Sequence, residues 1–112
     1  MPAPRERPKD KPQTATFFLL FKFTDQGIRT VKQQSQRTRR AYRIVTEAGG
    51  TCRFFLTVAG PYDMVSIITG IDDRTLTKLV LSLDSQGTVR TTVLKALDFY
   101  TDEYAKFLRE LA

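Results

Sequence analysis

Phe17-Phe18-Leu19-Leu20-Phe21-Lys22-Phe23 is a short aromatic-rich run that predicts a first strand. Thr24 or Asp25 then caps a helical pattern from Gln26 to Ala48. Its apolar positions are Ile28, Val31, Ala41, Ile44, Val45 and Ala48, and the polar stretch Gln33-Gln34-Ser35-Gln36 predicts a break within it. Gly49-Gly50 stops the helix. Thr51 to Val58 and Met64 to Thr69 read as a second and third strand joined as a hairpin through Ala59-Gly60-Pro61-Tyr62-Asp63. Asp72 or Asp73 caps a second helix with Leu76, Leu79, Val80 and Leu83 on one face, ending near Gln86-Gly87. Thr88 to Ala96 predicts a fourth strand. Thr101-Asp102-Glu103 opens a short last helix with Tyr104, Phe107, Leu108 and Leu111 on one side.

Two strand-helix-strand units sharing one sheet predict an α+β fold. It is the ferredoxin-like βαββαβ order with an extra C-terminal helix, a four-stranded antiparallel sheet carrying its helices on one face. The second face is less polar than water contact favours. Phe17, Leu19, Phe21 and Phe23 share one side of the first strand, yet Phe18 and Leu20 stand opposite with only Lys22 polar. In the second strand, strict alternation groups Cys52, Phe54, Leu56 and Val58, leaving Phe55 among Thr51, Arg53 and Thr57. The expectation is that the far face is covered by the same face of a second copy.

Composition trims the chemistry. The chain has 112 residues, no histidine and a single cysteine, Cys52. That removes an internal disulfide, every His-based triad, and the usual zinc, iron and copper ligand sets, so neither metal nor cofactor is expected. Cys52 reads as a buried structural thiol. Residues 1–13 hold four of the five prolines and read as a disordered basic tail before a domain spanning 14–112. No stretch has the pattern of a signal peptide or the roughly 20 apolar residues of a membrane span. Together with the lone thiol this points to the cytoplasm.

The net charge of +6 is unevenly spread. Residues 25–47 carry Arg29, Lys32, Arg37, Arg39, Arg40 and Arg43 against Asp25 and Glu47, whereas residues 53–110 are close to balanced. A solvated basic helix face is the plainer reading. Nucleic acid is disfavoured as a partner, because no basic strand is interleaved with aromatics and no helix-turn-helix spacing is present.

Four stretches, in order, carry a family likeness: Thr24-Asp25-Gln26-Gly27-Ile28, Gly60-Pro61-Tyr62-Asp63, Asp72-Asp73, and Gly87-Thr88-Val89-Arg90-Thr91-Thr92. From Thr16 to Leu111 the chain resembles the GYD-domain family of small bacterial proteins. Pro61 departs from the acidic or polar residue expected in the Gly-x-Tyr-Asp turn. The resemblance implies a ferredoxin-like fold of the dimeric α+β barrel type and a family without an established activity.

Two groups of residues are candidate ligand contacts. Tyr62 and Asp63 sit in the hairpin turn, where structural roles in the turn already account for them; as functional groups they would line a pocket at the end of the sheet. Lys22, Arg53 and Arg90, with Thr57, Ser66, Thr92 and Tyr62, would form a site for an anionic or carboxylate-bearing small molecule if they converge on the second sheet face. The alternative is a set of rim charges or ion pairs between copies. No catalytic residue stands out. The expectation is an oligomeric small-molecule-binding or accessory module, non-enzymatic, with its site at the sheet face or subunit interface. The alternatives are a cofactor-independent enzyme of oxygenase or isomerase type, by analogy of fold alone, and a weak electrostatic nucleic-acid binder.

Overall fold

The computed structural model describes residues 15–96 and 101–111. In chain order the elements are β1 (Ala15–Phe23), α1 (Asp25–Arg29), a 3-10 turn (Val31–Gln33), α2 (Gln34–Glu47), β2 (Thr51–Thr57), β3 (Met64–Ile71), α3 (Asp73–Ser85), β4 (Val89–Ala96) and α4 (Thr101–Arg109). The strands form one antiparallel sheet in the order β2-β3-β1-β4, which is the ferredoxin-like arrangement expected. The tail assigned to residues 1–13 lies outside the described residues.

β1 is central because it is the most apolar strand and can be covered on both edges. Phe17, Leu19 and Phe21 point into the helix layer and are buried. They meet Met64 and Ile68 of β3, Val89 of β4, Val45 of α2, and Leu76 and Leu79 of α3 in a single core. The caps are chosen by side-chain reach. Thr24, not Asp25, caps α1, its hydroxyl accepting from Gly27 N at 3.1 Å. Asp72, not Asp73, caps α3 by accepting from Thr75 N at 2.8 Å.

The long helical pattern breaks earlier than the glutamine-rich stretch suggested. Thr30 leaves helical geometry, and the Arg37 guanidinium folds back to hold the freed groups. It donates to Thr30 Oγ1 at 2.8 Å, to the Thr30 carbonyl at 3.3 Å and to the Gly27 carbonyl at 3.5 Å, with Nε on Gln34 Oε1 at 2.8 Å. A cation over the last carbonyls of a helix both bonds them and opposes their dipole. Arg37 is thereby withdrawn from the solvated basic face to which the sequence assigned it.

Strict alternation in β2 also fails. Cys52 pairs with Ile68, but Phe54 pairs with Ile67, so Arg53 is an extra residue, a β-bulge. Beyond it every side chain changes sides. Phe55 therefore enters the core, stacked on Phe21 with ring centroids 5.3 Å apart and 6.1 Å from Tyr42 of α2, while Phe54 and Leu56 go to the opposite face. Ser66, expected on the far face, is fully buried on the helix side. Its hydroxyl donates to the Phe54 carbonyl at 2.8 Å and meets Cys52 Sγ at 3.1 Å, supplying a partner to a carbonyl beside the bulge. Burial, and after it the Cys52 thiol, pushes the Tyr42 hydroxyl above the ordinary phenol range, so that side chain is neutral at physiological pH.

Replacing Ser66 with Ala removes the hydroxyl that donates to the Phe54 carbonyl and should cost about 0.5–1.5 kcal/mol in urea unfolding; an unchanged midpoint would show that the hydroxyl is dispensable there. A second expectation concerns acid. The Thr75 backbone N–H, and after it the Thr75 hydroxyl, holds the Asp72 carboxyl below its ordinary value. The stability this confers is present above the unfolded-state value of about 3.9 and is lost as pH falls through the folded-state value. Asp72→Asn should flatten the fall in melting temperature below about pH 4, and an unaltered acid limb would refute this role.

Candidate functional site

The stretches Thr24 to Ile28, Gly60 to Asp63 and Gly87 to Thr88 come together around the end of β1. Asp63 N donates to the Phe21 carbonyl at 2.8 Å, and Phe23 N donates to Asp63 Oδ2, also at 2.8 Å. On the other side Thr24 N donates to the Thr88 carbonyl at 3.1 Å, and the Thr24 hydroxyl donates to the Gly87 carbonyl. Gly27 is buried against that lead-in, where a Cβ would collide with the Thr88 carbonyl oxygen. Three separated segments thus form one clamp on the central strand. The pocket-lining role read for Asp63 from sequence meets a carboxylate already engaged by a backbone N–H. Tyr62 stands beside it in the loop, half-buried.

The open face of the sheet, away from the helices, is the larger feature. Its register places Leu56, Val65, Leu20 and Thr92 in one row across the four strands, and Phe54, Ile67, Phe18 and Leu94 in the next. Leu56 is 51% exposed and Leu94 is 53% exposed at the two edges. The seven apolar residues of these rows are all at least partly exposed, and they form a contiguous patch of the kind that on a monomer is often functional.

Lys22 lies directly opposite Arg90 at one end of this face, with Thr92 beside them opposite Leu20. Among the described residues no carboxylate pairs with either cation; the ion pair seen is Lys95 with Asp73 at 3.0 Å, elsewhere on the surface. Two like charges facing each other across a strand pair are unfavourable. Of the six residues singled out from sequence, Lys22, Arg90 and Thr92 are brought together, and Tyr62 and Asp63 lie at the same end of the sheet. Arg53 is not with them: it projects from the bulge on edge strand β2, roughly 18 Å away by strand geometry.

Among the described residues a narrow cleft lies between sheet and helices, lined by Phe21, Phe55 and Met64 beneath Gln34, Arg37 and Thr38. Its space of about 20 Å³ suits a water molecule. No helix among the described residues is long and apolar enough to cross a membrane. Sequence reasoning missed Ser66 and Gly27 as structural keys. A glycine in the first turn of a helix, where most side chains fold better, was the visible signal for the second.

Comparison with known proteins bears directly on this clamp and face. The model of the GYD domain matches residues 17–108, which includes all of the clamp. The chain belongs to the GYD domain family. A curated relative of this GYD domain, the glutamine synthetase and cystathionine beta-lyase binding protein of Thermus thermophilus, is 30% identical over 83 residues, covering 73% of this chain and 87% of the relative. Among solved structures, a homoserine dehydrogenase from Thiobacillus denitrificans aligns with a TM-score of 0.49 at 10% identity, over 80% of this GYD chain and 20% of the enzyme. The C-terminal domain of the MgtC protein from Mycobacterium tuberculosis aligns with a TM-score of 0.40 at 16% identity, over 79% and 93%. Likenesses this distant have no bearing on what this GYD domain does.

The clamp reading of Asp63 has a direct check. Asp63→Ala removes the acceptor for Phe23 N and should lower stability by about 1–2 kcal/mol in urea unfolding, whereas Asp63→Asn, which keeps an acceptor oxygen, should lose less than half of that. Equal stability of Asp63→Ala and wild type would take the carboxylate out of the clamp.

Proposed function

We propose that this GYD domain is a non-catalytic accessory protein that works as an oligomer and binds partner enzymes. The observation that carries the reading is the open sheet face. Phe18, Leu20, Phe54, Leu56, Val65, Ile67 and Leu94 form a continuous apolar surface opposite the helices, and its register is complete across all four strands. A second copy presenting the same face is its natural cover. Burying about 400 Å² of apolar surface on each copy contributes about 10 kcal/mol per subunit, at ~25 cal/mol per Å². Both contributions together exceed most values for the cost of association, about 4–15 kcal/mol.

The name of the Thermus relative supports the second half of the reading, since that protein is described as binding glutamine synthetase and cystathionine β-lyase. We take the corresponding enzymes of this protein's own source as its candidate partners. Lys22 and Arg90 add a smaller element: opposed with no carboxylate partner among the described residues, at the rim of the apolar face, they would accept an anionic small molecule where the two sheets meet.

Native mass spectrometry of the purified full-length chain tests assembly and retained ligand together. Wild type should appear as a dimer or a multiple of it, and Ile67→Glu, which places a charge at the centre of the face, should weaken assembly by at least about 100-fold, since each copy would bury an unpaired carboxylate. A wild-type monomer at about 20 μM would refute the sheet-face interface, and an extra mass lost in Lys22→Gln/Arg90→Gln would locate the anion.

A further inference from the structure

The helix layer carries a second surface, chemically unlike the sheet face. Ile28 of α1 is 55% exposed and Val31 of the following turn is 45% exposed, large apolar side chains left in water. They alternate with Arg29 and Lys32, and Arg37 ties their segment onto the first turns of α2. From there Arg39, Arg40 and Arg43 continue along the outer side of α2, opposite the buried Ala41 and Val45. All five of these cations are exposed, and none has an ion-pair partner among the described residues. Arg37 is the exception within the segment, because its guanidinium is occupied by backbone and side-chain acceptors.

We propose that this helix-layer surface, Ile28 and Val31 interleaved with Arg29 and Lys32 and continued along α2 by Arg39, Arg40 and Arg43, docks an acidic patch on a partner protein. Charge alone would suit phosphate as well as carboxylate. The two exposed aliphatic residues separate the cases: a duplex backbone offers them nothing, whereas a protein surface offers an apolar spot ringed by acids. Arginine is enriched in protein interfaces and lysine depleted, and four of the five unpaired cations are arginine. An apolar pair next to a run of cations matches a usual division of labour, apolar contact resisting dissociation and charge steering encounter. The inference rests on the accessory-protein reading and adds to it the face that meets the partner.

The test uses the full-length chain and its two candidate partner enzymes, purified, with biolayer interferometry at 50 and 300 mM salt and a 24-base-pair DNA duplex as a separate analyte. Two variants are compared with wild type: Arg39→Gln/Arg40→Gln/Arg43→Gln, and Ile28→Ser. All four positions are exposed, so folding is preserved, and circular dichroism checks it. At least one enzyme should bind wild type, and each variant should weaken that binding about tenfold or more. The charge variant should also flatten its salt dependence. Undiminished enzyme binding by both variants would overturn this surface and leave the accessory role standing. Absence of binding by either enzyme to wild type would bring down that role and this proposal with it. Duplex binding that falls with the arginine variant but ignores Ile28→Ser, with enzyme binding unaffected, would reassign the face to nucleic acid.

Discussion

Between Cys52 and Phe54 the edge strand carries one residue more than its neighbour, and both faces of the sheet depend on where that residue falls. With Arg53 extruded, Cys52 and Phe55 both look toward the helices, and Phe55 completes the aromatic contact between Phe21 and Tyr42. The same shift sends Phe54 and Leu56 to the other side, where they extend the apolar rows begun by Phe18, Leu20, Val65 and Ile67. Core and open face are therefore coupled through one irregularity. The buried hydroxyl of Ser66 holds the displaced carbonyl in place, a polar group inside an otherwise apolar layer with its hydrogen bond satisfied.

Periodicity made the element order, the four strands and the position of the hairpin legible, because apolar spacing reports which side of an element is buried. It could not reveal the bulge, since a period of two has no term for an inserted residue and Phe54 and Phe55 are equally suited to either face. The helix break was visible as a change of pattern but misplaced, because its cause is the long reach of Arg37 back to Thr30 and Gly27, a contact between residues the pattern treats separately. The caps fell within one residue of Thr24 and Asp72. The candidate site was only partly legible. Lys22, Arg90 and Thr92 do share a corner of the open face, but Ser66 does not, and Arg53 stands at the far edge, since facing depends on register across strands and not on order along the chain.

The GYD signature itself takes on a physical meaning here. Thr24, Gly27, Asp63 and the Gly87-Thr88 lead-in lie far apart in sequence and close around the exit of β1, where the chain must leave the centre of the sheet without loosening it. The signature thus secures the scaffold, and the two surfaces proposed for binding lie outside these contacts. These point in opposite directions: the apolar one lies on the strands and the cationic one on the helices. In the proposed assembly, copies stacked through the strands keep both cationic surfaces outward, so a pair would present two docking faces at once and would gain from multivalency toward an oligomeric partner.

Arg53 has one more effect. β2 is an edge strand, and a straight edge with unpaired backbone groups invites another strand to add to it. At its bulge that edge is locally kinked, and a charged side chain projects from the kink into solvent. Both features oppose continuation of the sheet from molecule to molecule. A chain with a continuous, partly exposed apolar surface on the flat of its sheet is thereby guarded along that rim against open-ended, fibre-like growth.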